Sequence, residues 1–126
     1  PNQNITNVHV AVMLGRALKL DVSNPPDPGY KDVPKNHYAY KEIAAAAEAG
    51  IFPKGHYFYP SKPSTRQSMA RAIVVGFNLS GDRNVSFLDV PSSNEYKDYI
   101  STLASNEITT GYTDGTFKPK NELPGM

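Results

Sequence analysis

The chain has no cysteine and no tryptophan, and acids and bases almost cancel. Without cysteine there is no disulfide, no thiol nucleophile and no Cys-type zinc site. A small disulfide-stapled secreted fold is therefore excluded. Thirteen Lys and Arg against twelve Asp and Glu leave +1. That is too little positive charge for a general nucleic-acid binder. It is too balanced for an acidic disordered tail. No apolar run approaches the roughly 20 residues of a membrane helix, so membrane insertion is not expected. His9, His37 and His56 are widely spaced and lack a helical i, i+4 partner, so no metal site is expected. There is no nucleophile elbow, no His-Glu-x-x-His helix and no glycine loop that could cradle phosphate. Asp98 and Glu107 could be paired as glycosidase carboxylates, but any soluble chain offers such pairs. Neither catalysis nor a cofactor is predicted.

What is present points to one domain of ordinary size. The chain has 126 residues, of which 39% are hydrophobic, enough to bury a core. Eleven Pro and nine Gly exceed the average share of about 12% and predict many turns between short elements. The eight Tyr suit wet binding surfaces, because each offers an apolar face and a hydroxyl. The chain opens at Pro1, and it is expected to be processed or cut from something longer.

An internal repeat dominates the pattern. Tyr30-Lys31-Asp32-Val33-Pro34 lies against Phe87-Leu88-Asp89-Val90-Pro91, 57 residues apart. At the same offset Ile43, Ala47 and Ile51 meet Ile100, Ala104 and Ile108. Ile5-Thr6-Asn7 lies against Ser64-Thr65-Arg66, and Phe58-x-Pro60 against Phe117-x-Pro119, both at an offset of 59. The repeat predicts three units: the second half of one (1–28), a complete central one (29–84) and the first half of a third (85–126).

Apolar residues at 10, 13, 14, 17 and 20, and again at 69, 72, 73, 76 and 79, have helical spacing. With Thr6 and Thr65 as N-caps, they predict helices over about 7–20 and 66–79. Ala17 and Gly76 are small at equivalent places, which suggests close helix approach. A second pair is expected over about 37–49 and 94–106, with Gly50 ending the first of them. Thr113-Asp114-Gly115-Thr116 is a turn signal that could close a short hairpin. The fold is expected to be mainly α, built of tandem two-helix repeats with ordered loops.

These motifs resemble the S-layer homology (SLH) family. The likeness rests on Tyr30-x-Asp32-Val33-Pro34, His37-Tyr38-Ala39-Tyr40, Ala49-Gly50-Ile51, Phe58-x-Pro60, Ser64-Thr65-Arg66 and Gly111-Tyr112-x-Asp114-Gly115-Thr116-Phe117-x-Pro119. It implies a pseudo-threefold arrangement, here incomplete at both ends. It implies an extracellular module at the bacterial cell wall or surface layer, which anchors an exported protein by binding a secondary cell wall polysaccharide that bears pyruvate ketals. Family binding grooves lie between units. They use the Arg of a Thr-Arg-Ala-Glu motif, the aromatic after the His and the Asp of aromatic-x-Asp-Val. On this chain these are Arg66, Tyr38 and Asp32, with His37, Thr65 and Tyr40 as further ligand-binding candidates. Departures are Asn7 in place of Arg, Gln67-Ser68 after Arg66, Leu123-Pro124-Gly125 where Thr-Arg would fall, and Asn94-Glu95 in place of His-aromatic. One groove at most, around Arg66, is expected to be competent.

The chemistry fits such a ligand. Arg can pair bidentately with the ketal carboxylate. At a helix start, exposed N–H groups and the dipole would add attraction. Tyr38 and Tyr40 could cover the C–H face of a pyranose. The structural reading of Arg66 is a surface salt bridge or a carbonyl-capping contact between units. For Asp32 and Asp89 it is a turn or cap, and for Phe58 and Phe117 a plug of the core. Tyr57, Phe58 and Tyr59 could also form a sugar platform. The rival function is an interaction or self-assembly module, in which other copies of the chain cover apolar surface left by the incomplete threefold.

Overall fold

A computed structural model describes residues 4–81, 83–109 and 111–123. Pro124 and Gly125, part of the expected Thr-Arg departure, lie outside them. Among these residues there are four helices and no strand. The helices are α1 (Asn7–Ala17), α2 (Tyr40–Glu48), α3 (Arg66–Gly76) and α4 (Lys97–Ser105). α1 packs on α2 and α3 on α4, so each packed pair joins helices from adjacent sequence repeats.

Each helix forms for a local reason. Thr6 and Thr65 cap α1 and α3, accepting from His9 N and Ser68 N at 3.5 and 3.2 Å. α2 carries Ala44–Ala47, all buried, and small side chains let α1 approach closely. All four helices end on a left-handed residue: Lys19 (φ 54°), Gly50 (80°), Asn78 (54°) and Glu107 (61°). Each is followed by a bond that closes the end, such as Leu20 N to Gly15 O at 3.0 Å and Ile51 N to Ala46 O at 3.0 Å. α1 and α3 therefore stop three residues before their expected ends. α2 and α4 start three residues late, because His37 N bonds Pro34 O and Asn94 N bonds Pro91 O in a preceding turn. The 113–116 turn forms, with Tyr112 N on Thr116 O at 2.8 Å, but no strand flanks it.

The repeated aromatic-x-Asp-Val-Pro motif is a packing device. Tyr30 meets Phe58 at 5.3 Å and 45° between rings, and Phe87 meets Phe117 at 5.4 Å and 45°. The following Val33 and Val90 are buried. Two apolar clusters result, one around Val10, Ile43, Ile51 and Phe58, the other around Ile100, Leu103 and Phe117. α3 is shared between them: Ala72, Met69 and Val75 face the first, Ala70 and Val74 the second. The expected close approach at Gly76 is present, since a Cβ there would sit 2.9 Å from Leu18 Cδ1.

Three equivalent segments meet in a closed ring of backbone hydrogen bonds. Ser64 N donates to Ile5 O (2.7 Å), Leu123 N to Ser64 O (3.0 Å), and Ile5 N to Leu123 O (3.2 Å). The three residues are 59 apart in sequence. This ring marks the pseudo-threefold axis.

Candidate functional site

Arg66 opens α3 and reaches across to the loop before Leu123. Its Nε donates to the Phe117 carbonyl at 2.8 Å. Its guanidinium carbon lies 4.5 Å from the Phe117 ring centre and 5.1 Å from that of Tyr112. Lys118 Nζ stands 4.2 Å from the Tyr112 centre, so two cations flank one exposed tyrosine. Among the described residues no carboxylate comes within ion-pair distance of Arg66; the one ion pair is Lys97 with Asp98. The carbonyl-capping contact is thus made, and among the described residues no acid pairs with the terminal guanidinium nitrogens. At the equivalent place Asn7 Nδ2 caps Phe58 O and Tyr59 O at 3.3 and 3.1 Å without a charge.

The helix start itself is not open to an anion. Arg66 N donates to Asn121 O and Gln67 N to Pro119 O, both at 2.9 Å, while Ser68 N goes to Thr65 Oγ1. The first-turn N–H groups are consumed by the neighbouring loop and the cap. Attraction for an anion here comes from side-chain cations, not from free backbone donors.

Two concavities flank this region. A cleft of about 260 Å³ is lined by Asn7, Tyr57, Tyr59, Lys62, Thr65 and Ser68. Its Tyr57 and Tyr59 rings lie 5.7 Å apart at 30°, with Lys31 and Lys62 ammonium groups 5.9 and 5.4 Å from their centres. A broader groove of about 610 Å³ is lined by Gln67, Asn94, Glu95, Lys118, Lys120 and Asn121. Asn94 Nδ2 there donates to Gln67 Oε1 at 3.2 Å. Arg66 lines neither, lying instead against the loop rings.

The residues singled out from sequence fall in several places. Thr65 is the α3 cap and also lines the smaller cleft. Tyr38 is 79% exposed and stacks on His37 at 4.6 Å and 23°, while His37 Nδ1 accepts from Ala39 N at 3.0 Å. Asp32 spends both oxygens on the main chain, accepting from Phe58 N at 2.9 Å and Tyr59 N at 2.8 Å. Tyr40 packs against the first cluster and lines a recess with Asn24, Asp27 and Lys35. Desolvation, then the Asp27 charge and its hydrogen bond, raise the Tyr40 phenol. Asp32, His37, Tyr38 and Tyr40 therefore belong with the α1–α2 pair, whose helix-start residue is Asn7, and Arg66 belongs with α3–α4. Tyr112 and Lys118, the immediate neighbours of Arg66, were not singled out from sequence. Their signal was the x of Phe117-x-Pro119 and the Gly-Tyr before the turn.

The SLH S-layer homology domain model matches residues 29–70 and 86–123. The chain is 35% identical over 133 residues to an endoglucanase of Bacillus sp. (strain KSM-635), covering 95% of this chain and 13% of that protein. It is 30% identical to the surface-layer 125 kDa protein of Lysinibacillus sphaericus, over 88% of this chain and 10% of that one. It is 27% identical to a cellulosome-anchoring protein of Acetivibrio thermocellus, over 98% of this chain and 30% of that one. The chain thus spans under a third of the length of each of these curated relatives. Among the described residues no helix is long and apolar enough to cross a membrane. Motif order, two-helix repeats and these matches agree on a cell-surface anchoring module, and the chain belongs to the S-layer homology domain family.

Proposed function

We propose that this module is non-catalytic and holds its parent protein on the bacterial wall by binding an anionic, pyruvylated secondary cell wall polysaccharide. The observation that carries this reading is Arg66. It is fixed by Phe117 O and two rings, has no acid partner among the described residues, and stands beside Lys118 on an exposed Tyr112. A ketal carboxylate supplies the missing partner in bidentate form. Tyr38 on the other pair is exposed and offers its ring to the sugar carbons of a neighbouring stretch of the polymer.

Sedimentation with isolated walls tests it. Intact walls retain the module, and walls stripped of pyruvyl groups by mild acid do not. Equal retention on both overturns the carboxylate part. A second reading, self-assembly with other copies, rests on a different observation. Ile51 is 1% exposed under α3, while its repeat mate Ile108 is 52% exposed. Met13 is likewise exposed where its mate Ala72 is buried. Light scattering at high concentration separates the readings: a monomer that still sediments with walls removes assembly from the function.

A further inference from the structure

Five described residues other than glycine have a positive φ, and three of them end helices. The other two are Tyr59 (φ 57°) and Lys118 (φ 58°), the repeat mates between Phe and Pro in Phe58-x-Pro60 and Phe117-x-Pro119. L-residues avoid this region, and a residue before proline is ordinarily extended. Each is held there by one carboxylate. Asp32 accepts from Phe58 N and Tyr59 N at 2.9 and 2.8 Å. Asp89 accepts from Phe117 N and Lys118 N, both at 2.8 Å. Glycine would make the same turn without strain, yet a large side chain stands at both positions.

The two side chains differ in chemistry while their backbones coincide. Tyr59 lies beside Tyr57 in the smaller cleft, with Lys62 and Lys31 over the two rings and Asn7 and Thr65 as further polar neighbours. Lys118 lies on Tyr112 and lines the broader groove together with Lys120, Asp89 and Glu95. Each aspartate has both oxygens on backbone donors, which fixes the conformation of the residue it holds.

We propose that the left-handed residue in each aspartate clamp sets what its seam takes: Tyr59 with Tyr57 covers the C–H face of a pyranose, and Lys118 pairs with an acid group. Asp32 and Asp89 are positioning residues. The proposal rests on the glycan reading above and assigns different parts of one polymer to two seams.

The test uses Tyr59→Gly and Lys118→Gly, which relieve strain and so leave the melting temperature unchanged or higher. The probes are the methyl glycoside of a pyruvylated hexose and the same glycoside without the ketal, followed by heteronuclear NMR titration. Y59G is expected to weaken the neutral probe about tenfold, and K118G to reduce the preference for the ketal acid several-fold without abolishing it, because Arg66 remains. Asp89→Ala should mimic K118G, and the double variant should bind no more weakly than K118G, because a positioning residue has nothing left to position. Glycine variants that bind both probes as the parent does overturn the assignment, even where walls still retain the protein. A further loss in the double variant overturns the positioning role of Asp89. Failure of the parent to bind either probe or the walls overturns both this and the glycan reading.

Discussion

Arg66 and Asn7 do one mechanical job with different charge: each caps the carbonyl of the phenylalanine in its partner loop, Phe117 at 2.8 Å and Phe58 at 3.3 Å. The pair suggests a substitution that separates structure from recognition. Arg66→Asn should retain a cap of the kind already present at Asn7. It should unfold within about 1 kcal/mol of the parent, the net worth of one such bond, yet lose retention on pyruvylated walls. Arg66→Lys keeps the charge but loses the planar fork and the Nε contact. It should bind walls more weakly than the parent and better than R66N. Urea unfolding and wall sedimentation on the same samples check both.

Ser64 is the polar member of the axial ring. Its backbone bonds Ile5 and Leu123, but its buried Oγ has no partner among the described residues. A buried hydroxyl without a bond is costly. Ser64→Ala is therefore expected to be neutral or stabilising by about 1 kcal/mol, read from the urea midpoint. A loss of that size instead would mean that the hydroxyl is bonded in solution.

Two glycines with positive φ should respond unequally to alanine. At Gly50 (φ 80°) a Cβ meets only Val75 Cγ1 at 3.5 Å, an ordinary contact, so the cost is conformational, about 1 kcal/mol. At Gly111 (φ 75°) it would lie 2.4 Å from Phe87 Cε1 and 2.8 Å from Thr116 O. Phe87 is fixed on Phe117, so it cannot swing away cheaply. Gly111→Ala should cost roughly 2–4 kcal/mol and disturb the loop under Arg66. Melting curves of the two variants check the order.

Much of this was legible because repetition shows in sequence. Thr6 and Thr65 marked their helix starts correctly, since a cap is read from a side-chain type at a fixed place. The pairing of Tyr30 with Phe58 and of Phe87 with Phe117 follows from motifs already visible as repeats. Helix ends were less visible, because Lys19 and Glu107 take the left-handed conformation usually signalled by glycine. The grouping of site residues was hidden for a topological reason. Helices pack with partners from the next repeat, so Arg66 shares its surroundings with Tyr112 and Lys118 while Tyr38 and His37 lie just before α2, which packs on α1. Nothing in local spacing reports which repeat contributes the facing loop. The free helix start expected at Arg66 was also wrong, since backbone carbonyls of a distant loop, which have no sequence signature, occupy its donors.

Tyr30 links stability to alkaline pH. Its ring is buried, and its hydroxyl donates to Pro53 O at 2.8 Å. Burial, the largest cause, raises the phenol above its ordinary 10.0; the Arg71 charge opposes this and the Asp32 charge adds to it. The folded state therefore holds this proton more tightly than the unfolded chain does. Its contribution is fully present below pH 10.0 and is lost as pH rises through the higher folded value. Tyr30→Phe removes the bond, at a cost of about 1 kcal/mol near neutrality, and with it this group's alkaline dependence. Asp114 acts in the opposite range: the Thr116 hydroxyl, then its backbone N–H, holds the carboxyl below its ordinary 3.8. Its stabilisation is present above pH 3.8 and fades as pH falls through the lower folded value. Urea unfolding across pH should therefore show the parent and Y30F converging in stability above about pH 10. A constant gap between them through that range would mean that the Tyr30 hydroxyl is not held protonated by the fold.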